Sequence, residues 1–462
     1  MRSTLALLLA LVLATTALAA PPGAEALQLP EQLSLRRAVD SALARNVQTL
    51  LADARRDEAT GQRREARSAF LPHLSAEAGQ SRQQINPAAQ GLDIESALER
   101  LGPAAGGADI EVPDVMTYNS FDARARLRQN LFDYSAWQRY QGSRVGETIA
   151  GDQLAVAREQ VAAQAALDYV AAAASDETVH AARADLELAE RLVRLAVDQE
   201  NAGIATGVDV TRAKARRARA QARLAAARTQ RSRARIRLAR TAGLPLNAPL
   251  ALSDDLDHAP VAVPPEAASI ASALDARAEV RLAADRIAQG RRRLAAARGE
   301  RLPTVAISAA YGESGNTYDE NLEDTYSVGA QLQLPIFDGG AISAHIDGAA
   351  SRLDQQRIRY RDTRIQVEQD VRVARRTLAT LGDRVAAARA GLDLAGQELE
   401  LARDRFAAGV SDNVEVVDAQ AALAEARDTR VSALAEYARA RINLAAALGR
   451  ARQFSLHESS TP

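Results

Sequence analysis

Residues 186–203, LELAERLVRLAVDQENAG, and residues 392–409, LDLAGQELELARDRFAAG, are one unit written twice at an offset of 206. Leu186, Leu188, Ala189, Leu195, Ala196, Asp198, Ala202 and Gly203 recur as Leu392, Leu394, Ala395, Leu401, Ala402, Asp404, Ala408 and Gly409, and the register holds through Val210/Val416, Ala213/Ala419, Ile236/Ile442 and Gly243/Gly449. Chance agreement between Ala-rich helices does not place glycines at both ends of one register, so the chain is an internal repeat. Upstream, Leu131-Phe132-Asp133 matches Ile336-Phe337-Asp338 at 205, whereas Leu71-Pro72 matches Leu302-Pro303 at 231. The first copy therefore carries an insertion, placed by the pattern near 83–113.

Each copy reads as helix, two strands, long helix, turn and second helix. The first helix is expected over 34–70, with Ser34 as its N-cap and Pro72 past its end, and its counterpart over 267–300, stopped by Pro303. The long helices are expected over 134–202 and 341–408, each roughly 100 Å at 1.5 Å per residue. No compact domain holds a helix of that length. Their partners, 208–242 and 412–448, return from the glycine turns for half the distance, and the shorter helices are the right length to cover the rest. Small residues such as Ala162, Ala166 and Ala173 recur at helical spacing between charged ones, which suits coiled-coil packing of long helices.

Between the helices the period changes to two. Tyr326, Val328, Ala330, Leu332 and Leu334 alternate with polar or small residues, as do Val305, Ile307, Ala309 and Tyr311. In the first copy Phe121, Ala123, Ala125 and Leu127 alternate with Asp122, Arg124, Arg126 and Arg128. These predict strands at about 73–82, 117–131, 303–311 and 326–336, with one apolar and one polar face, the dimensions of membrane-crossing strands. The charged face needs water, because an unpaired buried charge costs several kcal/mol. Arg124, Arg126 and Arg128 are accordingly expected to line a wet lumen. Four strands cannot enclose a pore, since the smallest single-chain barrels use about eight. Several chains must each contribute a segment; three would supply twelve strands and twelve helical columns. The strand connections are long and acidic, which places them outside the cell and the helices in the periplasm.

The N-terminus agrees with export. Met1-Arg2 is a basic start, Leu5 to Leu13 is apolar, and Ala17-Leu18-Ala19 precedes a cleavage point, so residues 1–19 read as a signal peptide. The expected division is then 20–243 as the first repeat, 244–265 as linker, 266–450 as the second repeat and 451–462 as a tail. With no cysteine, the chain can hold neither a disulfide nor a lipidated cysteine. A formal net charge of -1 gives no electrostatic grip on nucleic acid. Aromatics at 3% are too few to fill a large globular core, which favours extended helices seamed by Ala. His73, His180, His258, His345 and His457 have no metal-ligand spacing, and no nucleophile-elbow or phosphate-loop motif occurs. No cofactor, metal or catalytic residue is expected.

With these features the sequence resembles the TolC-like outer-membrane efflux factor family over nearly the whole mature chain. The specific marks are the duplicated strand exits Asn130-Leu131-Phe132-Asp133 and Pro335-Ile336-Phe337-Asp338, and the two helix turns 200–210 and 405–420. The resemblance implies a mainly α fold with a transmembrane β part: a homotrimer joining a 12-stranded barrel to a 12-helix coiled-coil tunnel. It implies a passive exit duct of a tripartite efflux or type I secretion system, placed in the outer membrane of a Gram-negative bacterium. A periplasmic adaptor and an inner-membrane pump of RND or ABC type would be its partners, beside outer-membrane lipid. The other reading is a structural periplasmic coiled coil without a pore.

By the same resemblance, Glu415 and Asp418, six and nine positions after Gly409, would ring the periplasmic aperture. Spaced by three, they share a helix face. Asp209 would be an aperture latch, although its usual basic partner is replaced by Ser411. Gly203, Ile204, Ala205, Thr206, Gly207, Gly409, Val410 and Ser411 would meet the adaptor's helical tips.

Overall fold

The computed structural model describes residues 32–86, 89, 115–203, 205–256, 264–408, 410 and 413–456. The signal peptide, most of the first-copy insertion, part of the linker and the end of the tail lie outside them. The elements run α1 (Leu35–Arg45), α2 (Val47–Ser68), β1 (His73–Ile85), β2 (Met116–Phe132), α3 (Tyr134–Asn201), α4 (Gly207–Thr241), α5 (Glu266–Ala276), α6 (Ala278–Gly299), β3 (Thr304–Gly315), β4 (Glu323–Gln333), α7 (Ala341–Ala407) and α8 (Asn413–Ala447).

The long helices and their returning partners lie where the periodicity put them. The shorter helices do not: 34–70 and 267–300 are each two helices, broken at Asn46 and at Arg277. Both breaks have one physical cause. The returning helix of each copy ends in a left-handed glycine, Gly243 (φ +67) or Gly449 (φ +72). The next amide bonds back to the carbonyl five residues earlier, Leu244 to Ala239 and Arg450 to Ala445, both at 2.8 Å. A side chain at Gly243 would put its Cβ 2.5 Å from that of Arg45, and one at Gly449 would meet Arg277 at 3.2 Å. The short helix thus breaks where it crosses that helix end. In the first copy Asn46 serves both partners, accepting from Gln48 N–H and donating to the Thr241 carbonyl, each at 2.9 Å. In the second, Arg277 pairs with Glu279 and, at 2.7 Å, with Asp370 of α7.

Coverage of the long helices follows from these lengths. α4 packs on α3 and α8 on α7, while α1, α2 and α6 lie along the remainder of α3, and α5 and α6 along α7. α8 also packs on α3, joining the copies. Ala162 and Ala166 are fully buried, the seam their spacing predicted. The main core gathers Leu35, Val39, Tyr169, Leu238 and Ile442. The linker enters it as a strand-like bridge, Leu252 beside Leu33, with Tyr169 Oη donating to the Leu33 carbonyl at 3.0 Å and accepting from Asp254 N–H at 3.1 Å. Burial pushes the Tyr169 hydroxyl up to about 12.

The four strands form one antiparallel sheet in the order β1-β2-β3-β4. The two hairpins are therefore fused by the β2–β3 ladder, a long-range pairing the alternation does not reveal. Each of the four strands outruns a predicted end because the ladder continues past the alternating core, as in Ile85 opposite Met116 and Ser314 opposite Glu323. β4 stops at Gln333 rather than 336, where Pro335 has no N–H to give.

Candidate functional site

Two structures built from the duplicated motifs carry the functional expectations: the sheet and the two helix turns. Register sorts the sheet into two faces. On one, Leu74, Ala76 and Ala78 stand beside Leu127, Ala125 and Ala123, followed across β3 and β4 by Ala309 and Tyr311, then Val328 and Tyr326. On the other, Ser75 and Glu77 stand beside Arg126 and Arg124, then Ala310 and Gly312, then Ser327 and Thr325. Among the described residues nothing covers either face. Tyr326 is 81% exposed, Val328 80% and Leu74 75%, all three on the apolar face of the alternating segments. Arg126 pairs with Glu77 at 2.6 Å, and Arg124 lies 2.7 Å from Asp122, so the polar face satisfies part of its own charge. Arg128 stands opposite His73 in the same row.

A belt of exposed aromatic and aliphatic residues marks the end of the sheet nearest the helices. It comprises Leu131, Phe132, Trp137, Leu334, Ile336 and Phe337, the last 88% exposed. Beneath it the two duplicated aspartates accept from helix-start amides: Asp133, the N-cap of α3, from Ala136 N–H at 2.8 Å, and Asp338, two residues before the Gly340 N-cap of α7, from Gly340 and Ile342 N–H. The strand-exit motifs are thus helix starts as well as an apolar belt.

At the far end of the helices, the first turn reverses at Gly203 (φ +76), whose N–H bonds to the Glu200 carbonyl. α4 then opens with a capping box. The Asp209 carboxylate accepts from Thr206 N–H at 2.9 Å and from Thr206 Oγ1 at 2.6 Å, with Arg212 3.7 Å away. The Thr206 hydroxyl, then its amide, hold the Asp209 carboxyl below the usual carboxylate range. Asp209 is therefore engaged in starting its own helix. At the second turn Val410 N–H bonds to the Arg405 carbonyl at 3.0 Å; Gly409 and Ser411, like Ile204 of the first turn, lie outside the described residues.

Glu415 and Asp418 lie on α8 with Val416 and Ala419 between and beyond them turned into a core shared with Leu188, Leu192 and Phe406. Arg405 Nη1 donates to Glu415 Oε1 at 2.9 Å across the turn. This partner is missed by motif matching but follows from hairpin geometry, since 405 and 415 are equidistant from 410. Further along, Arg427 of α8 bonds to Asp185 of α3 at 2.5 Å, tying the two hairpins together. Arg216 of α4 lies within electrostatic reach of both Asp185 and Asp418, and burial lowers its pKa. Among the described residues no group of acids and histidines could hold a metal ion, and no helix is long and apolar enough to cross a membrane.

The model of the outer membrane efflux protein family matches residues 38–244 and again 269–450. Relatives include the alkaline protease secretion protein AprF of Pseudomonas aeruginosa, 26% identical over 69% of this chain and 68% of that protein. The probable efflux pump outer membrane protein SepC of Pseudomonas putida is 24% identical over 83% and 76%. Among solved structures, the Campylobacter jejuni CmeC outer membrane channel superposes with a TM-score of 0.77 at 18% identity, covering 96% of this chain and 95% of that one. The outer-membrane channel OprN gives 0.75 at 20%, covering 91% and 90%.

Proposed function

The chain belongs to the outer membrane efflux protein family, and from that premise we propose that three copies assemble one continuous duct, a 12-stranded barrel set on a 12-helix tunnel. It is a passive outer-membrane channel rather than an enzyme. One observation carries the trimeric reading: a sheet with an apolar face and a charged face, both uncovered, and outer edges on β1 and β4 that no described strand pairs. An exposed edge flanked by exposed apolar residues calls for another strand, and closure into a barrel removes edges altogether. In that barrel Leu74, Tyr311, Tyr326 and Val328 face lipid, Arg124, Arg126 and Arg128 face the lumen, and the Phe337 belt sits at headgroup level on the periplasmic side.

The helices then extend the lumen through the periplasm. Glu415 and Asp418 of three copies place six carboxylates around one axis, which favours cations in the aperture and repels anions. The Arg405–Glu415 pair offsets part of that charge within each chain. In this chain Asp209 supports the aperture by fixing the first turn of α4; the capping box, not an ion pair with residue 411, is what holds it. The turn residues Gly203, Ile204, Ala205, Thr206, Gly207, Gly409, Val410 and Ser411 form a small-residue tip that a periplasmic adaptor's hairpins can approach, with an inner-membrane pump beyond. Protease secretion and solvent efflux both appear among the relatives, so cargo is chosen at the pump rather than by this fold.

The test is membrane fractionation followed by gel electrophoresis with and without heating. A trimer-sized band from the outer membrane that collapses to monomer on boiling is expected. A monomer in the soluble periplasm contradicts the proposal.

A further inference from the structure

Between α6 and α7 lies a cleft of about 210 Å³ lined by Arg286 and Arg293 on α6 and by Arg352 and Arg359 on α7. Each pair is spaced by seven, so on each helix the two arginines lie two turns apart on one stripe. Gln289 and Gln356 add two amides, and no acidic residue lines the cleft. None of the four guanidinium groups has an ion-pair or hydrogen-bond partner among the described residues. Nearby arginines of the same helices do: Arg281 with Asp152, Arg292 with Gln138, Arg357 with Asp354. The helices are held close at this point, because a Cβ at Gly290 would stand 3.1 Å from Leu353 Cδ1. The backbone therefore brings the four exposed arginines to one cleft, where an anion between them would offset their mutual repulsion.

We propose that this cleft binds a phosphate-bearing anion. Guanidinium forks match phosphate oxygens in pairs, and four of them suit a group of more than one negative charge. The space equals several waters at roughly 30 Å³ each, enough for a diphosphate-sized group. Arg286 stands thirteen residues before the end of α6 and Arg352 eleven after the start of α7. At 1.5 Å per residue this sets the cleft roughly 10–25 Å along the helices from the sheet, within reach of a membrane headgroup or of a soluble periplasmic anion. The site belongs to one chain and does not depend on the trimeric reading.

The probe is inorganic pyrophosphate, titrated calorimetrically into the purified full-length channel in uncharged detergent. Binding is expected to weaken at least about tenfold in the double variant Arg286→Gln/Arg352→Gln, whereas Arg291→Gln, outside the cleft, stays within about twofold. Circular dichroism of each variant confirms retained helix. Repeating the titration in nanodiscs of phosphatidylcholine with and without phosphatidic acid separates the sources: heat lost only with phosphatidic acid assigns a lipid headgroup, and heat kept in both assigns a soluble anion. Absence of binding by the parent channel, equal affinity of the double variant and the parent, or equal weakening by Arg291→Gln and the double variant overturns the site.

Discussion

The helical body and the sheet obey opposite rules of burial. In the body, each helix turns small apolar residues inward, and Tyr169, Leu238, Val371 and Ile442 are buried within a single chain. In the sheet, backbone ladders join all four strands, yet Tyr326, Val328 and Leu332 stay exposed on one face and Arg126 and Arg128 on the other. The body has a core closed within one chain, although α7 leaves Ile365 and Leu401 exposed; the sheet has none and needs lipid, water and neighbouring strands.

The largest effect that would sharpen this contrast comes from the sheet's apolar face. Val328→Arg is expected to cost about 2–4 kcal/mol if that face meets lipid. Outer-membrane recovery should fall at least tenfold with helix content unchanged, whereas the same change at Ser327, on the polar face, should be tolerated. In the body, Leu238→Ala leaves a cavity in a fully closed core and should cost about 2–5 kcal/mol, read by thermal unfolding without loss of targeting. Tyr169→Phe strands the Asp254 N–H, while the Leu33 carbonyl keeps its bond from Ser253 N–H, and should cost about 1–3 kcal/mol by the same measurement.

The smallest effect concerns Asp209. Its carboxyl is held below the unfolded value, so its contribution is complete above the ordinary carboxylate pKa and disappears as pH falls through the lower folded one. Asp209→Ala should cost about 1 kcal/mol near neutral pH, with the difference from the parent vanishing in acid. A difference that persists under acid conditions would give the residue a role beyond the capping box.

Much of this contrast can be read in the residues themselves. Period-two alternation at 121–128 and 326–334, the doubled glycines and the Ala seams are local patterns, and local patterns survive in a one-dimensional string. What escaped were consequences of contact between distant segments. Asn46 and Arg277 break their helices because Gly243 and Gly449 arrive there, about 170 to 200 residues away in sequence. The β2–β3 ladder and the Arg427–Asp185 bond likewise exist only once the two copies lie side by side, and the arginine cleft only once α6 and α7 of the second copy pack against each other. The Arg405–Glu415 pair was within reach, being symmetric about its turn.

The most direct measurement asks which strand completes the sheet. The chain has no cysteine, so a pair introduced at Ser75 on β1 and at 327, 329 or 331 on β4 reports only the contact under test. Within one chain those edges are three strand spacings apart, about 14 Å, beyond disulfide reach. Oxidation in the outer membrane should give covalent dimers and trimers that stop at three on a reducing-agent-free denaturing gel. Monomers at every register, with cysteines freely alkylated, would show that neighbouring chains do not close the sheet.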